Sequence, residues 1–151
     1  MRFKNFTIWR GRLPHWRADD VNYYVTFRHS RPLDEDERTW LLRSLLRAEG
    51  KSLEYSVVCV LPEQTETLFR VVSAADGRPY ELSRIVEAAK RAAGKRVTKS
   101  TGERFAPFWG ESYDRIVRDE AEFEERWLEI LESPVRAELA EDPSEYPGLW
   151  I

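Results

Sequence analysis

The chain predicts an α+β fold, and three observations carry the prediction: stretches with a two-residue period, stripes with a helical period, and the order in which they follow one another. Val21 to Arg28 alternates Val21, Tyr23, Val25 and Phe27 with Asn22, Tyr24, Thr26 and Arg28, β-branched and aromatic types that suit a pleated surface. Pro32-Leu33-Asp34 opens a helix. Asp34 is an N-cap residue with Glu37 three positions on, Trp40, Leu41, Leu45 and Ala48 form the apolar stripe, and Gly50 ends it. Leu53 to Leu61 is a second strand, apolar enough to be central, and Pro62 interrupts it. Thr65 to Ala74 is a third, with Thr67, Phe69 and Val71 alternating with Glu66, Leu68 and Arg70.

Asp76-Gly77-Arg78-Pro79 marks a turn. A second helix carries Leu82, Ile85, Val86 and Ala89 and fades near Gly94, and the polar stretch from Val97 to Gly102 reads as a loop. Arg104 to Val117, rich in aromatic residues, supplies a fourth strand. Asp119 caps a third helix with Glu122 in the capping-box position, and Phe123, Trp127, Ile130 and Leu131 are its buried stripe. Pro134 begins a further short turn, and Pro143 and Pro147 break up the tail. The order β-α-β-β-α-β with an added C-terminal helix is the split βαβ, ferredoxin-like arrangement. No repeat, low-complexity tract or linker divides residues 1–151, so one domain is expected.

Hydrophobic residues at 42% and aromatics at 13% exclude a wholly disordered chain. Runs such as Val57 to Leu61 are too short to cross a bilayer, and Met1 to Arg12 has no apolar h-region. No membrane partner is expected, and the cytoplasm fits. Cys59, alone and inside an apolar run, reads as a core residue rather than a reactive thiol. The net charge of −3 averages over opposed segments. Arg12 and Arg28 belong to a basic first segment, Arg84, Lys90, Arg91, Lys95, Arg96, Lys99 and Arg104 form a second basic block, and the chain from Asp119 onward is acidic.

A fold of this kind hosts many activities. Three stretches narrow it. Arg12-Leu13-Pro14-His15-Trp16 followed by Asn22 to Arg28, then Val60-Leu61-Pro62-Glu63, and then Phe108 to Glu120 (Phe-Trp-Gly-Glu-Ser-Tyr-Asp-Arg-Ile-Val-Arg-Asp-Glu) with Ser133 to Leu139 resemble the IS200-like, REP-associated tyrosine transposases, in order and with matching spacing. The resemblance implies DNA strand cleavage and rejoining through a covalent phosphotyrosine, with Mg²⁺ or Mn²⁺ held by a His-hydrophobic-His triplet on a strand, and the tyrosine and a further polar ligand four apart on a helix. At those positions this sequence has Gln64-Thr65-Glu66, Glu129 and Ser133. No catalytic residue, no metal ligand and no cofactor is expected to remain. Gln64 and Glu66 read as surface residues, the alternative being a weak Mg²⁺ site, and the face of Glu122, Glu125, Arg126, Glu129 and Ser133 reads as solvated. Tyr113 is expected to pack structurally, Tyr146 lies in the tail with nothing to activate it, and the isolated His15 and His29 read as surface histidines.

The function that follows is a DNA-binding protein for a hairpin or single strand that no longer cuts. The cations named above, Lys90, Lys95 and Arg96 foremost, would meet phosphates, and exposed members of Trp9, Trp16, Phe105 and Trp109 would stack on unpaired bases unless they pack in the core. Two alternatives stand beside it: a divergent metal-dependent nuclease using Gln64 and Glu66, and a protein–protein module or homodimer that uses the acidic C-terminal third.

Overall fold

In the computed structural model, residues 21–71, 82–108, 110 and 112–151 are described. Among them β1 (Asn22–Arg28), β2 (Leu53–Val60), β3 (Gln64–Val71), β4 (Ser112–Val117) and β5 (Leu149–Trp150) form one sheet in the order β4-β1-β3-β2-β5, every neighbouring pair antiparallel. The helices are α1 (Glu35–Leu46), α2 (Leu82–Thr101) and α3 (Glu120–Arg136), followed by a 3-10 turn at Pro143–Glu145. The α+β, split βαβ arrangement with a C-terminal helix is therefore present.

Alternation along the strands sorts side chains onto two faces, because successive strand residues point opposite ways. Val25 and Phe27 of β1, Val58 and Val60 of β2 and Phe69 of β3 pack with Leu41 and Leu45 of α1 and with Val86, Ala89, Ala93 and Val97 of α2. The other face, with Val57, Cys59 and Leu68, packs under Phe123, Trp127, Ile130 and Leu131 of α3. Burying one such side chain stabilises by about 1.5–3 kcal/mol. Trp127 also has a polar anchor. The register of β2 against β3 shifts between Tyr55 and Val57, and the Ser56 carbonyl beside that irregularity accepts the Trp127 indole N–H at 3.3 Å. The start of α1 is a full capping box between Asp34 and Glu37.

Four local expectations are corrected. The helix α2 runs on through Gly94 to Thr101, because Val97 is fully buried and Gly94 serves packing: a Cβ there would stand 2.9 Å from the Ala106 Cβ. The fourth strand is only Ser112–Val117, since Phe108 leaves the chain direction to plug the core at 1% exposure. The strand β2 is interior, as its apolar run predicts, with β3 on one side and the two-residue β5 on the other. Pro134 lies within α3 rather than beginning a new turn, so near the end that its missing N–H removes only one late hydrogen bond. Asp119 does cap α3 through the Glu122 amide at 2.7 Å, but the Glu122 carboxylate turns to Arg115 instead of closing a capping box.

Candidate functional site

The α3 face of the sheet brings together the residues that the resemblance singles out. In register, Thr26 of β1 stands opposite Glu66 of β3, Arg28 opposite Gln64, and Tyr113 of β4 opposite Thr26. From above, α3 supplies Arg126, Glu129 and Ser133, a three-then-four spacing that keeps them on one side of a helix. Glu66 and Ser133, distant in sequence, meet in a buried hydrogen bond. They are 5% and 3% exposed, so the expected solvated surface is corrected here: the sheet and helix close over both.

The Ser133 hydroxyl stands within reach of more than one acceptor. The Ser133 Oγ also lies 3.0 Å from the Glu129 carbonyl, which can only accept. One hydroxyl hydrogen cannot serve both oxygens. The hydroxyl donates to Glu66, and Arg136 satisfies the Glu129 carbonyl, donating to it at 3.0 Å and to Ser133 Oγ at 3.3 Å. Burial pushes the Glu66 carboxyl above its ordinary range, and the Glu129 charge adds to this, against the lowering effects of the Ser133 hydrogen bond, Arg136 and the Gln64 hydrogen bond. Nearby, the Arg126 guanidinium lies over the Tyr24 ring at 4.5 Å and donates to Glu129 at 3.1 Å. Burial first, and then the charge of Glu66, raise the Tyr24 phenol above its ordinary range.

The donor set does not fit the divalent cation that the family resemblance implies. It offers an amide, Gln64, and a single buried carboxyl already engaged by a hydroxyl, where Mg²⁺ takes oxygen ligands in an octahedron and favours ionised carboxylates. Among the described residues no group of three or more His, Cys, Asp or Glu side chains is placed to hold a metal.

The remaining candidates divide. Tyr113 is 58% exposed, which corrects its expected packing role. Tyr146 is held, not mobile: its hydroxyl donates to the Val60 carbonyl at 2.7 Å and its phenol is pushed up to about 12 by burial. His29 is buried rather than on the surface; Nδ1 lies 2.8 Å from the Pro62 carbonyl and Nε2 2.9 Å from Thr65 Oγ1. Cys59 is fully buried and its thiol is raised by burial, as a core cysteine should be. His15, Arg12, Trp9, Trp16 and Trp109 lie outside the described residues.

The basic block is elsewhere, on the opposite side of the sheet. Val86, Ala89, Ala93 and Val97 mark the buried side of α2. At about 100° per residue, Arg84, Arg91, Lys95 and Lys99 fall on the outward ridge, and all four are exposed. Arg28, on the α3 face at the end of β1, and Arg104, beyond α2, are exposed as well. Arg96 leans back, its guanidinium 4.6 Å over Trp40. Lys90 is the exception and corrects its assignment as a phosphate contact. It is 4% exposed, and its ammonium donates to the Gly110 carbonyl at 2.8 Å and Ser112 Oγ at 2.9 Å, above the Phe27 ring. Sequence reading could not separate Lys90 from its neighbours; its place beside Ala89 and Ala93 on the apolar side of the helix was the available signal.

No protein-family model matches the sequence, and no curated protein matches it. Solved structures do. One, described as a REP-associated tyrosine transposase bound to a REP hairpin, aligns with a TM-score of 0.65 at 13% identity, covering 90% of this chain and 79% of that one. A second, a putative transposase from Deinococcus radiodurans R1, aligns at 0.48 and 16% identity over 77% of this chain and 94% of that one. The chain thus has the fold of the IS200-like, REP-associated transposases.

Proposed function

We propose that this protein binds DNA, as a hairpin or a single strand, on a transposase fold without cutting it. The observation that carries the non-cutting half is the Glu66–Ser133 pair: where the resemblance calls for metal-binding imidazoles and a tyrosine, α3 is hydrogen-bonded to β3 through groups that supply neither. Loss of a nucleophile and its metal ligands lowers rates by on the order of 10⁴- to 10⁶-fold. The binding half is supported by the outward ridge of α2, with Arg84, Arg91, Lys95 and Lys99 exposed, and by a solved structure of the same fold that is described as bound to a REP hairpin.

A gel-shift titration with short DNA hairpins in Mg²⁺ or Mn²⁺, followed by a denaturing gel of the same samples, tests both halves. The expected result is a shifted, uncut hairpin. If four ridge cations each neutralise a phosphate, raising salt from about 50 to 200 mM weakens binding about 100-fold. The double substitution Arg91→Glu/Lys95→Glu is expected to abolish the shift. Cut strands or a covalent adduct would refute the non-cutting half, and no shift at low salt would refute the binding half.

A further inference from the structure

Among the described residues, Phe105 is the most exposed large hydrophobic side chain, at 61%, and it stands on a segment that is otherwise firmly held. Gly102, with φ of 77°, ends α2 and turns the chain back. Glu103 then pairs with Arg31, which also grips the buried Glu37. Ala106 lies against Gly94, so residues 103–107 double back alongside α2 at the level of Gly94. The Pro107 carbonyl accepts from Ser30 Oγ at 3.0 Å, and Phe108 is buried. Phe105 therefore projects from a segment anchored on both sides, and a rigid exposed aromatic loses little conformational entropy when something stacks on it. The Arg104 guanidinium lies 5.3 Å from the ring centroid. Gly94 lies three residues after Arg91, on the adjoining flank of the helix, so the doubled-back segment runs beside the Arg91 end of the cationic ridge.

An exposed aromatic ring beside a row of cations matches the chemistry of an unpaired nucleotide, a flat π face attached to a phosphate. We propose that Phe105 is the stacking platform for an unpaired base, and that the ridge of Arg91, Lys95 and Lys99 holds the adjoining phosphates. Resting on the DNA-binding reading above, this names the ligand as DNA with unpaired bases next to its paired stem. An acidic protein segment would be drawn to the same ridge but has no base to stack on Phe105, so it predicts no dependence on unpaired bases.

The test is fluorescence anisotropy with three labelled probes: a hairpin with an unpaired loop and flank, a blunt duplex of equal length, and an oligothymidine strand. For Phe105→Ala, affinity for the hairpin and the single strand is expected to fall roughly 5- to 100-fold, the range of one base stacked on an aromatic, with the blunt duplex unchanged. Phe105→Trp is expected to keep or strengthen binding to the first two. Because Phe105 is mostly exposed, circular dichroism of the variants should match the parent protein. Arg91→Glu/Lys95→Glu should weaken all three probes. If Phe105→Ala binds the unpaired probes as the parent does, the platform is refuted while the DNA reading stands; if the parent binds no probe, both fall.

Discussion

Glu66 shows what a sequence hides at the scale of single residues. Its position, alternating with Thr65 and Thr67, reads as half-exposed, and only the fold brings Ser133 of α3 onto it. A hydrogen bond between such distant positions has no local signature, whereas the Asp34–Glu37 capping box is local and was legible. The same holds for His29, whose two partners come from the β2–β3 connection and β3. Because burial raises the Glu66 carboxyl, its contribution to stability is fully present below pH 4.5, the ordinary value, and is lost as pH rises through the raised folded value. Glu66→Gln keeps an oxygen that accepts from Ser133 and does not titrate. Urea melts of the variant and the parent should therefore coincide below about pH 4.5, with the variant the more stable at neutral pH. Ser133→Ala, which strands a buried carboxyl, should cost about 1–3 kcal/mol. A Glu66→Gln protein less stable than its parent at neutral pH would mean that Glu66 is held as the carboxylate.

Elements were legible where their signal is a period, and illegible where another segment decides. The three long strands and the stripes of α1 and α3 follow from alternation and helical spacing. The C-terminal half of α2 does not, because Gly94 looks like a stop until Ala106 is seen filling the space that its missing side chain leaves. The two-residue β5 carries no pattern at all; it exists because Val60 N–H donates to the Gly148 carbonyl at 2.9 Å and Tyr146 reaches back to the Val60 carbonyl. Gly148 is the tight point of that closure, since a Cβ there would lie 2.5 Å from the Val60 carbonyl oxygen and 2.6 Å from the Tyr146 ring. Backbone oxygen cannot yield as a flexible side chain does. Gly148→Ala should therefore cost about 1–3 kcal/mol by overpacking, read as a lowered midpoint in chemical denaturation. An unchanged midpoint would show that β5 contributes nothing to the edge of β2.

On the scale of the whole molecule, the sheet separates two charges that the net value of −3 merges. The ridge of α2 faces out on one side, and the acidic residues of α3 and the tail, Glu125 and Glu141 among them, are exposed elsewhere. The segmental sign change was legible in the sequence; that it becomes two faces was not, because the two helices could have packed on the same side. With a sheet and two helix layers between them, ridge and acidic surface lie on the order of 20 Å apart. The screening length is about 8 Å at physiological salt and about 30 Å at 0.01 M. Repulsion of DNA by the acidic surface should thus be felt at the ridge only in dilute buffer. Neutralising it with Glu125→Gln/Glu141→Gln is expected to tighten hairpin binding severalfold at about 0.01 M salt and to leave it unchanged at about 0.15 M. Arg91→Gln/Lys95→Gln should weaken binding at both, because those cations meet the phosphates directly. Tightening by the glutamate substitutions that persists at physiological salt would put the bound DNA against α3 and the tail, and would transfer the nucleic-acid surface to the face that holds Arg28, Gln64 and Tyr113.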